Sequence, residues 1–256
     1  MISSFHLFGQ EIHIYGLAWF LGIFLSAIIA ILICKRRTIE RYDIVYSAIY
    51  AVIAGAVGAK LLFIAVTIEP ILGSGLPFSA VLKGGFVFYG GLIGGALGLF
   101  IYTKQFRLKF LPFADIYAVV LPLGHAIGRM GCLFAGCCYG MPYNGPLAIT
   151  YYDTAGNVPF GVPLFPIQAL EAFLLLLLFA LNLLIYLRGK KSGTTSAVYL
   201  ICYSILRFVL EIFRGDGIRG ISAGLSTSQW ISIILFCFGT VAVIYTKIKK
   251  SVCIEE

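Results

Sequence analysis

Residues 15–41 read YGLAWFLGIFLSAIIAILICKRRTIER. From Tyr15 to Cys34 no side chain is charged, and then Lys35, Arg36, Arg37 and Arg41 follow in a cluster. About 20 apolar residues rising ~1.5 Å each reach across the ~30 Å hydrocarbon core of a bilayer. A secretory signal has its positive charge before the apolar core and a small-residue cleavage site after it. Here no Lys or Arg precedes Tyr15. The run therefore reads as a retained transmembrane helix. Its basic C-terminal end marks the cytoplasmic side.

The rest of the chain repeats this pattern. Further apolar stretches lie at about 44–66, 86–102, 111–127, 167–187, 197–213 and 229–246, which predicts about seven spans in all. The 256 residues are 60% hydrophobic and only 12% charged, with a mean hydropathy of +0.98. A soluble domain carries about twice that charge. Alternate connections hold Lys104, Arg107 and Lys109, then Arg188, Lys190 and Lys191, then Lys247, Lys249 and Lys250. The opposite side holds only Lys83, Arg129, Arg214 and Arg219, while Lys60 and Arg207 fall within spans. This predicts an all-α integral membrane protein with its N-terminus outside and its C-terminus cytoplasmic. Residues 1–256 read as a single transmembrane domain with a long outside loop at 128–166. The net charge of +8 is split into small groups between spans, which fits a membrane surface and not nucleic acid.

The third span carries Gly90, Gly91, Gly94, Gly95 and Gly98, spaced to let helix backbones approach closely. Its entry, Gly84-Gly85-Phe86-Val87-Phe88-Tyr89-Gly90-Gly91, suggests irregular backbone at the outer mouth of the bundle. The 128–166 connection, with Tyr139, Tyr143, Tyr151 and Tyr152, reads equally as a functional lid or as an interfacial aromatic belt.

The sixth span holds Tyr203, Arg207, Glu211 and Arg214. At about 100° per residue all four fall on one helical stripe. Ionised groups within a membrane cost several kcal/mol each unless they face a cavity and find partners. Arg207 and Glu211 are spaced to pair, and two arginines against one glutamate leave positive charge for an anionic ligand such as phosphate. Arg129, flanked by Gly128 and Gly131 at the outer end of the fourth span, offers another guanidinium fork. His125 reads as a hydrogen-bonded core histidine. Gln168 and Glu171 open the fifth span, where they either cap the helix or line the same polar cavity. Cys132, Cys137 and Cys138 read as packing or a disulfide, and no second ligand pair suggests a metal site.

Seven segments in order resemble the prolipoprotein diacylglyceryl transferases. They are Tyr15-Gly16-Leu17; Gly58-Ala59-Lys60-Leu61; Gly84 through Gly94; Ala114-Asp115 through Gly128-Arg129-Met130-Gly131; Phe165-Pro166-Ile167-Gln168; Tyr203 through Arg214; and Leu225-Ser226 with Gln229. The resemblance implies that the diacylglyceryl group of phosphatidylglycerol moves to a cysteine thiol in the lipobox of a secreted prelipoprotein. A thioether forms, glycerol phosphate leaves, and no cofactor is required. It implies a bacterial inner-membrane enzyme with its site near the outer leaflet. On that basis Tyr89, Tyr203, Arg207 and Glu211 are expected to be catalytic. Arg129, Arg214, Tyr15, Gly128, Gln168 and Glu171 are expected to bind substrate.

The chain departs from the family's usual pattern in three places. Tyr89 stands where a His is usual, Cys132 to Cys137 replaces a segment with two Asn and a Glu, and the Pro-x-Gln segment lacks its His. A phenol with a pKa near 10 is a poor base at neutral pH unless its surroundings lower that value. Two other readings fit the same residues: a carrier of lipid or anionic solute, and a transferase with a non-protein thiol acceptor.

Overall fold

The computed structural model describes residues 4–7, 10–73, 85–152, 158–189, 191–216 and 221–252. Lys83, Gly84, Lys190 and Arg219, named above, lie outside them. The described chain is mostly helical: α1 Ile14–Ile33, α2 Arg41–Gly73, α3 Phe88–Gln105, α4 Phe110–Ala135, α5 Ile167–Arg188, α6 Thr194–Leu210 and α7 Thr227–Val252. Among the described residues, six helices are long and apolar enough to cross a membrane. They correspond to the predicted spans other than 86–102, which forms the 18-residue α3. Large apolar side chains such as Phe20, Ile53 and Phe238 stand 60% or more exposed, as a lipid-facing surface requires.

The chain divides into two compact units, residues 31–113 and residues 1–30 with 114–256. In the first, α2 and α3 cross on glycines. A Cβ added at Gly55 would stand 3.1 Å from the Gly91 carbonyl oxygen, and one at Gly58 or Gly94 would collide with the facing backbone. All five glycines of the third span, Gly90, Gly91, Gly94, Gly95 and Gly98, thus pack against α2. The Tyr102 hydroxyl donates to Asp43 at 2.6 Å, which ties α3 to the start of α2.

In the larger unit, α1 meets α4 at Gly22 and Gly124, where a Cβ on Gly22 would lie 2.9 Å from the Gly124 oxygen. Beside this crossing, Ser26 Oγ donates to the Val120 carbonyl at 3.1 Å. Pro122 lies inside α4. A proline cannot donate to the carbonyl four residues back, so Ala118 loses its helical partner. Asn182 of α5 supplies the replacement, donating to the Ala118 oxygen at 2.9 Å from a fully buried position. Asp115, also fully buried on α4, caps α6. It accepts from the Gly193 amide at 2.8 Å, from the Ser196 amide at 2.9 Å and from the Ser196 hydroxyl at 3.1 Å.

Ser226 and Gln229 form a reciprocal capping box at the start of α7. The Gln229 amide donates to Ser226 Oγ at 3.2 Å and the Ser226 amide to Gln229 Oε1 at 2.9 Å. Three short antiparallel pairs complete the unit: β1 Ser4–Leu7 with β2 Gln10–His13, β3 Ile149–Thr150 with β4 Pro163–Leu164, and β5 Ile221–Ser222 with β6 Leu225–Ser226.

Two expectations need correction. Helix α4 runs to Ala135, so Gly128, Arg129 and Cys132 are helical and the connection to α5 begins at Gly136. Helix α6 ends at Leu210, followed by a 3-10 turn at Glu211–Phe213. Arg214 is extended, at φ −83° and ψ 140°, and bridges Gly140. The helical stripe therefore holds from Tyr203 to Arg207, and Arg214 reaches the same region from a strand-like segment.

Candidate functional site

The larger unit gathers three arginines around two buried glutamates. Glu171, on the second turn of α5, is 1% exposed and at the centre. Its Oε1 lies 3.1 Å from Arg129 Nε and 3.8 Å from His125 Nε2, and its Oε2 lies 4.0 Å from Arg214 Nη1. Arg129 Nε also lies 3.2 Å from His125 Nε2 as donor to acceptor. At the end of α6, Arg207 Nη2 stands 2.7 Å from Glu211 Oε2, the pairing expected from the i, i+4 spacing. The same nitrogen donates to Ser228 Oγ at 3.1 Å, one residue before the Gln229 of the α7 cap. Arg214 makes a fork to Asp216, with contacts of 3.1 and 3.0 Å.

His125 links the arrangement. Its ring lies 5.9 Å from that of Tyr203 and within electrostatic reach of Arg129, Arg207 and Arg214. Tyr203 stacks in turn on Tyr199 at 5.5 Å. The histidine is thus hydrogen-bonded and largely buried, as expected, but it belongs to the polar cluster and not to an apolar core. Gln168 is buried on the first turn of α5. It donates from Nε2 to the Cys137 carbonyl at 2.9 Å and so ties α5 to the connection leaving α4.

The charge differs from the sequence count. Arg129, Arg207 and Arg214 face Glu171, Glu211 and Asp216, so the surplus positive charge inferred from α6 alone is balanced within the fold. What remains is donor capacity. Arg129 engages both Glu171 and His125 through Nε. Arg207 Nη1 is buried and has no hydrogen-bond partner among the described residues. A buried guanidinium nitrogen without an acceptor is costly, and a phosphate oxygen is the natural acceptor for it.

Gly128 and Tyr15 sit at the edge of the cluster. The position a Cβ would take at Gly128 is 4.0 Å from Trp19 Nε1, and one at Gly131 would crowd Ala18 at 2.8 Å beside Tyr15. Tyr15 packs edge-on against Trp19 at 6.5 Å. Tyr89 is the second residue of α3, in the other compact unit, and is half-buried there.

Sequence reasoning missed Asp216 and Ser228. Asp216 follows Arg214 closely enough to have been noticed as a partner. Ser228 is visible only through the α7 cap that aims it. Cys132, Cys137 and Cys138, read as packing or a disulfide, are free thiols whose sulfurs all lie within 4.8 Å of one another. Outside the helices, the Cys138 thiol is held below its ordinary pKa, first by hydrogen bonds from the other two thiols and then by the charges of Arg129 and Arg214.

A family model described as prolipoprotein diacylglyceryl transferase matches residues 3–245. The chain is similar to proteins named phosphatidylglycerol–prolipoprotein diacylglyceryl transferase. It is 36% identical over 239 residues to one from Clostridium tetani, covering 92% of this chain and 93% of the other. It is 36% identical over 249 residues to one from Clostridium perfringens, covering 95% and 94%. For one from Finegoldia magna the identity is 31% over 252 residues, covering 97% and 96%.

Proposed function

The chain belongs to the prolipoprotein diacylglyceryl transferase family, and on that premise we propose that it transfers the diacylglyceryl group of phosphatidylglycerol to the lipobox cysteine of a prelipoprotein. The carbon–oxygen bond to phosphate breaks, the thiol sulfur takes the carbon, and glycerol phosphate leaves with the electron pair. The observation that carries this reading is the buried Arg207 Nη1, which has no hydrogen-bond partner among the described residues, beside the ion-paired glutamates.

In this mechanism Arg129 and Arg207 hold the phosphate and offset the charge it gains as it leaves. Arg214, held by Asp216 and near Glu171, completes the clamp. Glu211 orients Arg207, and Glu171 orients Arg129. Tyr203 and His125 wall the cluster, Gln168 fixes the adjoining loop, and Tyr15 and Gly128 border the lipid's entry. Tyr89 serves in proton transfer or positioning. The whole chain acts as one transmembrane domain of seven spans in the bacterial inner membrane. Its N-terminus is outside, its C-terminus is cytoplasmic, and its site is near the outer leaflet, as the distribution of basic residues supports.

Purified protein incubated with labelled phosphatidylglycerol and a lipobox peptide tests the reading. A thioether-linked lipopeptide is the expected product. Lipid binding without product supports a carrier instead, and product with a small thiol but not the peptide changes the acceptor.

A further inference from the structure

Cys132 lies in the last turn of α4, and Cys137 and Cys138 lie on the connection that leaves it. Cys138 takes a positive φ of 55°, a region that side chains other than glycine rarely adopt. In extended backbone two successive side chains point to opposite sides. The left-handed turn at Cys138 lets both loop thiols face Cys132, and strain of this kind gathers at functional positions. The bend is held by the Cys137 amide, which donates to the Cys132 carbonyl at 3.2 Å, and by Gln168 on the Cys137 carbonyl.

We propose that Cys132, Cys137 and Cys138 form a three-thiolate site for a thiophilic divalent cation of the zinc class, whose open fourth position receives the acceptor thiol. The role of the fourth position rests on the transferase reading above, and the metal site does not. Zinc holds sulfur at ~2.3 Å in a tetrahedron, which sets its sulfurs ~3.8 Å apart. The three thiols, within 4.8 Å of one another, reach that spacing by an adjustment of about 1 Å or less. No fourth His, Cys, Asp or Glu joins the group among the described residues. Three protein ligands with one position open is the arrangement of catalytic zinc, whereas structural zinc closes all four.

The surroundings fit the charge. Three thiolates and a divalent cation carry a net charge of −1, and Arg129 and Arg214 lie within electrostatic reach of Cys138. Arg129, a member of the phosphate clamp, is one helical turn before Cys132. A thiol entering the fourth position loses its proton to solvent, because a metal-bound thiol is deprotonated outright. Its sulfur then forms the bond to the glyceryl carbon as the carbon–oxygen bond to phosphate breaks, and the electron pair leaves on the phosphate. This supplies the nucleophile without a histidine base.

The test uses the reduced full-length protein in detergent, titrated anaerobically with cobalt(II) and with zinc(II). The expected result is about one equivalent bound, a sulfur-to-cobalt charge-transfer band, and about three protons released per metal. Zinc should protect three thiols from maleimide, counted by mass against the metal-free protein. Cys137→Ser should weaken binding tenfold or more, and Cys202→Ser should leave it unchanged. The protection assay on unaltered protein keeps the test valid if a serine variant misfolds. No band and no protection would overturn the site, as would a Cys132–Cys137 disulfide that persists after reduction. Adding a lipobox peptide should shift the cobalt spectrum, and its cysteine-to-serine version should not. Metal binding with no such shift would overturn the acceptor role alone. Metal binding and a spectral shift with no thioether product would count against the transferase reading and leave the site standing.

Discussion

Glu171 Oε1 lies 3.1 Å from Arg129 Nε, and the glutamate is almost fully buried on the second turn of α5. This pair, with the His125 contact at the same nitrogen, holds the guanidinium in place. Glu171→Gln keeps the shape but gives up the ion pair and turns one acceptor into a donor. Turnover is expected to fall about 100-fold through misplacement of Arg129. Removing one member of a buried ion pair also costs about 3–5 kcal/mol at most, less here because an amide retains one acceptor. Thermal melts in detergent alongside product assays separate the two effects.

Arg207→Lys and Glu211→Gln are each expected to abolish transfer while leaving folded protein. Lysine keeps the charge but cannot serve Glu211, Ser228 and a phosphate with one planar fork. If both variants retain full turnover, the pair is only structural.

The Asn182 contact to Ala118 depends on Pro122. Asn182→Leu should cost about 1 kcal/mol, as an interhelical hydrogen bond in a membrane does. Pro122→Ala restores an amide that reaches the Ala118 carbonyl and should make the same Asn182→Leu change milder. A double-mutant cycle in denaturant reads the coupling directly. Strict additivity would show that Asn182 does not compensate for the proline.

Topology is checked by single cysteines at exposed positions. Asn144→Cys should react with an impermeant reagent in intact cells, and Lys191→Cys only after lysis. The reverse pattern would place the arginine cluster in the opposite leaflet.

Tyr89→Phe should lower kcat sharply with little change in phosphatidylglycerol binding, the mark of a group that acts in the transition state. Equal losses in binding and turnover would make Tyr89 a positioning residue only.

Hydropathy and loop charge located the helices, because a bilayer imposes one length and one polarity on every span. They could not find helix ends. The expected outside loop opens at about residue 128, yet α4 continues to Ala135, and nothing in the local sequence stops it before Gly136. Periodicity placed Arg207 and Glu211 together, but it put Arg214 on the helix because an i, i+3 spacing persists whether or not the backbone stays helical. From its place in the first turns of α5, Glu171 reads either as a cap or as lining the polar cavity, and sequence alone does not choose between them. Its real partners, Arg129 and Arg214, lie on two other segments, and only the tertiary fold brings them within range. The cysteines show the same limit, since a thiol trio depends on a left-handed turn that sequence does not announce.

Helix α6 is gripped at both ends by side chains from other helices: Asp115 at its first turn, and Ser228 on Arg207 near its last. Its angular phase is therefore set twice, and the two settings must agree along the intervening turns. Inserting a single residue between Ala197 and Tyr203 would rotate one grip by about 100° against the other. The helix would have to release either its buried cap or the guanidinium. The number of residues between Ser196 and Arg207 is thus as much a part of the site as the arginine itself.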